Sequence, residues 1–195
     1  MTRREMMAAM AAAAGAFLIP RPAQAIDASR ITAERVRGAA GSFAPKVYTE
    51  HEWATVRVLV DYVIPKDATS GSATEAAVPE FMDTMLDLEP AMRTANRGGL
   101  AWLDHECRQR FDHDFVDCTD VQRRQVLDDV AYPGRARPEM ALGVAWFSSF
   151  RDFTATGFFT SEIGVNDLGY EGNTVVPEWT GCPAANYQRL GVAQP

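Results

Sequence analysis

The sequence predicts an all-α protein: a compact bundle of about five helices, followed by a long irregular C-terminal tail. Apolar residues recur at helical spacing between residues 49 and 160, in segments bounded by capping and proline signals. Beyond residue 160 this periodicity ends, and Gly, Asn and Pro become frequent. We therefore divide the chain into residues 1–25, a loosely ordered lead-in at 26–48, a helical domain at 49–160 and a tail at 161–195.

The first helix and the fourth helix each begin with a capping box. Thr49 and Glu52 stand three residues apart, as do Thr119 and Gln122. In this motif the Thr hydroxyl accepts from a backbone N–H of the first turn, and the Glu or Gln side chain accepts from the backbone N–H of the Thr. The first helix is predicted to end before Pro65, and the fourth at about residue 131.

Prolines mark the starts of the other three helices. Pro79, Pro90 and Pro138 stand where a first helical turn tolerates a missing N–H. In the middle of the third helix, Gly98 and Gly99 suggest either close packing or a kink. The fifth helix, predicted to end at about residue 160, is the most apolar, and we expect it to be the central helix of the bundle.

The first 25 residues have the three-part layout of a bacterial export signal. Arg3 and Arg4 form a basic start, residues 8–19 form an uncharged apolar run, and Ala23 and Ala25 supply the A-x-A pattern of a cleavage site. The run of 12 residues is shorter than the roughly 20 needed to cross a bilayer. The paired arginines favour the twin-arginine route, which carries folded proteins, over an ordinary secretory signal. Cleavage after Ala25 would leave 170 residues.

Composition and missing motifs narrow the classes of function. The net charge is −7, and loss of three arginines and one glutamate with the signal lowers it to −9. An acidic chain without a basic stripe argues against binding to nucleic acid or to anionic lipid heads. The sequence has no Cys-x-x-Cys-His haem motif, no Gly-x-Gly-x-x-Gly fingerprint and no Gly-x-Ser-x-Gly elbow. We therefore expect no cofactor in this chain.

An Asp/His cluster, "DHECRQRFDHDF", is the most charged part of the sequence. His105 and His113 are eight residues apart, which on a helix is a rise of about 12 Å and too far to share one ion. His51 is remote in sequence. We interpret the cluster as a solvated helix face, with no metal site and no catalytic residue; a hydrolase using these residues is the less favoured alternative.

The three cysteines are an odd number for an exported chain. Cys107 and Cys118 lie near the same predicted turn, so that an internal disulfide between them is expected, the alternative being buried free thiols. Cys182 is then left over, either unpaired or bridged to another chain. A catalytic role for Cys182 is not expected, because no histidine follows His113.

The tail is too rich in aromatic residues for a linker. It keeps Leu168, Tyr170, Trp179 and Tyr187 in a segment without helical periodicity. Long segments without regular structure in compact domains are usually functional. We expect its apolar side chains to be buried against this domain or against a partner.

Four stretches, taken in order, resemble a known family. They are "VRVLVDYVIPKDATSGSATEAAVPEFMD", "GGLAWLDHECRQRF", "FRDFTATGFFTSEIGVNDLGYEGN" and "EWTGCP", and the resemblance covers the region from about Thr49 to Pro183. The chain resembles the small third subunit family of gluconate 2-dehydrogenase. No single stretch is a catalytic signature, and the resemblance rests on their order and spacing.

The resemblance implies a non-catalytic subunit of a periplasmic dehydrogenase complex. A large FAD-binding subunit of the glucose-methanol-choline type would oxidise a sugar or alcohol, and a multihaem cytochrome c would be a candidate third subunit. The small subunit would support folding, flavin loading and export of its partner, and would meet the membrane only through the complex. A stand-alone periplasmic structural or binding module is the alternative. The residues expected to face the partner or lock the tail are Tyr170, Gly172, Trp179, Gly181, Cys182 and Pro183.

Overall fold

The computed structural model describes residues 21–39, 43–170, 172, 181–182 and 184–193. These residues form helices and no strands, which confirms the all-α class. None of the described helices is both long and apolar enough to cross a membrane. The α-helices of the described residues are α1 (Pro22–Gly38), α2 (Glu50–Val63), α3 (Val78–Leu88), α4 (Pro90–Phe111), α5 (Asp120–Ala131), α6 (Ala141–Phe159), α7 (Glu162–Asp167) and α8 (Ala184–Leu190).

Both predicted capping boxes are present. In α2, the Glu52 N–H donates to Thr49 Oγ1 at 3.2 Å, and the Thr49 N–H donates to Glu52 Oε2 at 2.8 Å. In α5, the Gln122 N–H donates to Thr119 Oγ1 at 3.4 Å, and the Thr119 N–H donates to Gln122 Oε1 at 2.8 Å. Each pair satisfies backbone donors that a helix N-terminus would otherwise leave without an acceptor.

Helix α3 is the most deeply enclosed element of the bundle. Every residue from Val78 to Leu86 is buried, and α3 packs against α1, α2, α4 and α6. The segment 138–160, predicted to form the central helix, contacts more elements than α3 does: its helix α6 packs against α1, α2, α3, α4, α5 and α7, in agreement with the prediction. That segment is a 3₁₀ turn at Pro138–Met140 followed by α6, which buries one side. Its many aromatics provide a wide contact face, whereas α3 is shorter and has four neighbouring helices.

Helices α4 and α6 approach closely because glycines receive tryptophan rings. A Cβ atom added to Gly99 of α4 would lie 1.9 Å from Trp146 of α6, and one added to Gly143 of α6 would lie 2.1 Å from Trp102 of α4. Gly98 has open space around it. Of the two glycines, Gly99 therefore permits the close packing of α4 against α6, whereas Gly98 does not take part in it.

The lead-in at 26–48, predicted to be loosely ordered, is largely helical. Helix α1 begins at Pro22 and packs against α3 and α6. Its buried face consists of Ala25, Ala28 and Thr32, so it lacks the large apolar stripe by which helices are usually recognised in a sequence. Small side chains allow close approach to α3, and this tertiary contact is why the helix forms where the sequence did not predict one.

The predicted irregular tail contains two short helices. The Ser161 hydroxyl caps α7 by accepting from the Gly164 N–H at 3.1 Å. Helix α8 lies near the end of the chain. The tail is therefore less irregular than expected in its described part, because local capping and i→i−4 bonds can form without an apolar stripe.

Candidate functional site

The C-terminal segment, defined here as the described residues from Leu168 onward, exposes large apolar side chains. Leu168 is 61% exposed, Tyr170 59%, Leu190 69% and Val192 55%. All seven residues of α8 are described, and none of them is buried. Exposed apolar surface of this kind, where it is contiguous, marks a contact with another molecule, which makes this segment a candidate contact surface.

Glycines shape the backbone of this segment. Gly172 has φ of +80° and Gly181 has φ of +91°, both in the left-handed region that other residues adopt with strain. Both are among the residues expected from the sequence to face the partner or lock the tail. Gly181 directly precedes Cys182, which is an exposed free thiol. Of the six predicted partner-facing residues, Trp179 and Pro183 lie outside the described residues.

Cys107 and Cys118 lie close together in the core. Both are buried and both are free thiols in this structure, so the predicted internal disulfide is not formed here. Burial, together with a smaller contribution from the neighbouring Cys118 thiol, raises the pKa of the Cys107 thiol to about 12. A thiol with so high a pKa is a poor nucleophile at neutral pH, which argues against catalysis by Cys107.

The residues of the predicted export signal fall partly within the described chain. Arg3 and Arg4 lie outside it. Ala23 and Ala25 both lie in the first turns of α1, where Ala23 is exposed and Ala25 is only 2% exposed. The predicted cleavage site therefore sits within a docked helix.

The Asp/His cluster is not uniformly a solvated face. Asp104 is buried, and its Oδ2 lies 2.7 Å from His51 Nε2. Its Oδ1 accepts from the Phe115 N–H at 3.0 Å. The hydrogen bond to Asp104 raises the pKa of His51. This carboxylate joins α2, α4 and the 3₁₀ turn Phe115–Asp117, whereas His105 and His113 are exposed, as predicted.

The described residues contain no group of three His, Cys, Asp or Glu side chains arranged to hold a metal ion. The Asp104 carboxylate binds His51 through one oxygen and the Phe115 N–H through the other. Their contacts are those of a structural link between helices, because both carboxylate oxygens are used within the bundle.

Asp83 is an important residue that the sequence did not reveal. Its carboxylate is fully buried in α3 and accepts from the backbone N–H groups of Lys46, Val47 and Tyr48 at 2.8–3.4 Å. It also pairs with Arg35 of α1 at 3.1 Å. An acidic residue within the apolar run "EFMDTML" was the available signal. It joins α1, the segment entering α2, and the centre of the bundle.

Comparison with known proteins gives one match. A family model described as "Gluconate 2-dehydrogenase subunit 3" matches residues 50–177, about two thirds of the chain, from the start of α2 through α7. A search of curated proteins and a search of solved structures each found no significant match. The match agrees with the resemblance carried by the four sequence stretches, and this chain belongs to the gluconate 2-dehydrogenase subunit 3 family.

Proposed function

We propose that this chain is the non-catalytic small subunit of a periplasmic, FAD-dependent sugar or alcohol dehydrogenase complex. Membership of the subunit 3 family supports an accessory role in a dehydrogenase complex. The observation that carries the proposal further is the C-terminal segment. It offers exposed apolar side chains and a thiol, in a chain whose described titratable residues form no metal-binding group.

The partner is a large FAD-binding subunit of the glucose-methanol-choline type. The C-terminal segment contacts that subunit through Leu168, Tyr170 and α8, and the exposed Cys182 forms a disulfide with one of its cysteines. Burial of a leucine or tyrosine side chain at such an interface contributes about 1.5–3 kcal/mol. A cytochrome c subunit carrying haem is a candidate third member, and it would pass electrons onward from the flavin.

The small subunit also acts as a chaperone and an export carrier. It holds its partner in a fold that takes up FAD in the cytoplasm, and the twin arginines Arg3 and Arg4 then direct the folded pair to the periplasm. This explains why a chain without a cofactor motif would carry a signal for folded export. The complex reaches the membrane through its other subunits.

Co-purification tests the assembly. The chain, tagged and expressed in its native host, should bring with it from the periplasmic fraction a flavoprotein that shows the absorption spectrum of bound FAD. A chain recovered only as a monomer would contradict the proposal and favour a stand-alone binding module.

The disulfide is tested by cysteine variants. Non-reducing electrophoresis of the wild-type complex should show a heterodimer band that is lost on addition of a thiol reductant. Cys182→Ser should abolish the band, whereas Cys107→Ser, the matched control, should leave it unchanged because Cys107 is buried. A heterodimer band that survives Cys182→Ser would rule out this bridge.

The export role is tested by replacing Arg3 and Arg4 together with lysine. Charge is retained, but the paired-arginine signal is lost. Dehydrogenase activity of the partner should then stay in the cytoplasm. Activity that still reaches the periplasm would show that the partner is exported independently.

A further inference from the structure

The predicted cleavage site after Ala25 is part of a formed helix. The Ala25 N–H donates to the Arg21 carbonyl at 3.0 Å, closing the first turn of α1. The Ala25 side chain is 2% exposed. Both the backbone and the side chain of the residue that a signal peptidase must recognise are therefore occupied within the fold.

Helix α1 is held along most of its length. Ala25, Ala28 and Thr32 follow one another at spacings of three and four residues and form one buried face. This face packs against α3 and α6. Ala28 is completely buried, so any larger or charged side chain at this position would separate the helices.

Three polar contacts reinforce this docking. Near the start of α1, the Gln24 Nε2 donates to Glu89 Oε1 at 2.6 Å. In the middle, the Ser29 hydroxyl donates to Thr160 Oγ1 at 2.7 Å. Near its end, Arg35 makes the ion pair with the buried Asp83 described above. The first of these contacts involves a residue inside the cleavage motif itself.

Proteases act on backbone that is exposed and free to leave its secondary structure, so burial and hydrogen bonding of a segment decide its susceptibility. Although Ala23 and Ile26 are exposed, the Ala25–Ile26 bond lies within α1 next to the buried Ala25, so it is not free to leave its helix while α1 is docked. We propose that docking of α1 on the bundle controls removal of the export signal, and that cleavage occurs only from chains in which α1 has detached. This inference rests on the export role proposed above.

Cleavage would also weaken the redocking of α1. Water adds across the Ala25–Ile26 amide bond, leaving a carboxylate on Ala25 and an ammonium group on Ile26. The remaining helix then loses the contact between Gln24 and Glu89 as well as its first buried alanine. The new ammonium stands at a helix N-terminus, where positive charge is unfavourable. A processed chain therefore has a more easily detached α1 than the precursor.

The experiment follows cleavage of the full-length chain by purified bacterial signal peptidase in detergent, with mass spectrometry identifying the new N-terminus at Ile26. A synthetic peptide of residues 1–40 is the reference substrate, because an isolated helix of this length is marginal in water. The folded chain should be cut at least about tenfold more slowly than the peptide, since cleavage follows the population of the open form.

Two matched variants test the role of docking. Ala28→Asp places a charge on the buried face and should raise the cleavage rate to near that of the peptide. Ala33→Asp makes the same change on an exposed position of the same helix and should leave the rate near that of wild type. Glu89→Ala removes the acceptor of Gln24 from outside the substrate segment, and should raise the rate by about threefold to tenfold.

Circular dichroism and thermal unfolding check that the variants retain the folded bundle. If Ala28→Asp unfolds the bundle, the cleavage rate of the Glu89→Ala variant decides the test. Equal cleavage of the folded chain and the peptide would overturn the inference while supporting Ala25 as the export cleavage site. Failure of both substrates to be cut after Ala25 would also overturn it, and would show that the assigned cleavage site is wrong. Neither result bears on partner binding, which co-purification tests separately.

Discussion

Helix α1 and helix α8 lie towards opposite ends of the described chain, and only one of them is integrated into the bundle. Helix α1 buries Ala25, Ala28 and Thr32 against its neighbours, although none of these side chains is large. Helix α8 buries none of its residues, although Leu190 is large and apolar. The comparison shows that burial here follows shape and polar anchoring, and not the apolarity of the helix alone.

The bundle and the C-terminal segment therefore differ in where their contacts lie. The bundle, including α1, is held together by contacts within the chain at Asp83, Asp104 and the interlocked glycines and tryptophans of α4 and α6, although it also exposes single apolar side chains such as Val121. The C-terminal segment leaves apolar surface exposed, as an element does when its contact lies on another protein. Stability measurements should detect changes in the bundle, and binding measurements should detect changes in the C-terminal segment.

The largest effect on the bundle is expected for Asp83→Ala. This change removes the acceptor of three backbone N–H groups and the ionic partner of Arg35, and should lower the free energy of unfolding by about 3–5 kcal/mol. Asp87→Ala, one turn further along α3, removes only surface ion pairs and should cost under about 1 kcal/mol. Denaturant titration of both variants measures the difference. Equal losses would show that Asp83 does not anchor α1 to the bundle.

A smaller effect is expected at the contact of α4 with α6. Gly99→Ala places a Cβ atom against Trp146 and should destabilise the protein by about 1–3 kcal/mol. Gly98→Ala, the adjacent control, enters open space and should stabilise α4 by up to about 1 kcal/mol. Thermal unfolding should thus move in opposite directions for two neighbouring substitutions. Shifts in the same direction would contradict the packing described.

The smallest change in stability is expected in the C-terminal segment. Leu190→Ala should alter the free energy of unfolding by less than about 0.5 kcal/mol, because the side chain is 69% exposed. Leu100→Ala, at a buried position of α4, should cost about 2–5 kcal/mol. Leu190→Ala should nevertheless weaken binding to the large subunit in a pull-down assay. Unchanged binding would place the interface outside α8.

Predictions from local sequence patterns were correct where the contacts that form a motif lie within one turn of helix. The boxes at Thr49 and Thr119 each depend on a residue three positions away, so the sequence contains both members of the interaction. The same holds for Pro79 in the first turn of α3. The close packing suggested at Gly99 was also found, although its partner Trp146 could not be identified from spacing.

Contacts between distant residues were not predictable in this way. Asp104 looked like part of a solvated face, but it is paired with His51, which is 53 residues away. Asp83 receives N–H groups from a segment more than 30 residues earlier in the chain. Neither pairing has a periodic pattern, because it depends on how helices are arranged relative to one another. Helix α1 was missed for the same reason, as alanines become a docking face only when a neighbour fits against them.

The sequence by itself determined the all-α class, the caps of α2 and α5 and the family, since each depends on local spacing or on the order of motifs. Only the tertiary structure decided that α3 is enclosed, that α1 covers the predicted cleavage site, and that α8 has no buried side chain. The physical reason is that burial is a property of surfaces in contact. A helix exposes or buries a residue according to what lies opposite it, and that neighbour comes from elsewhere in the chain.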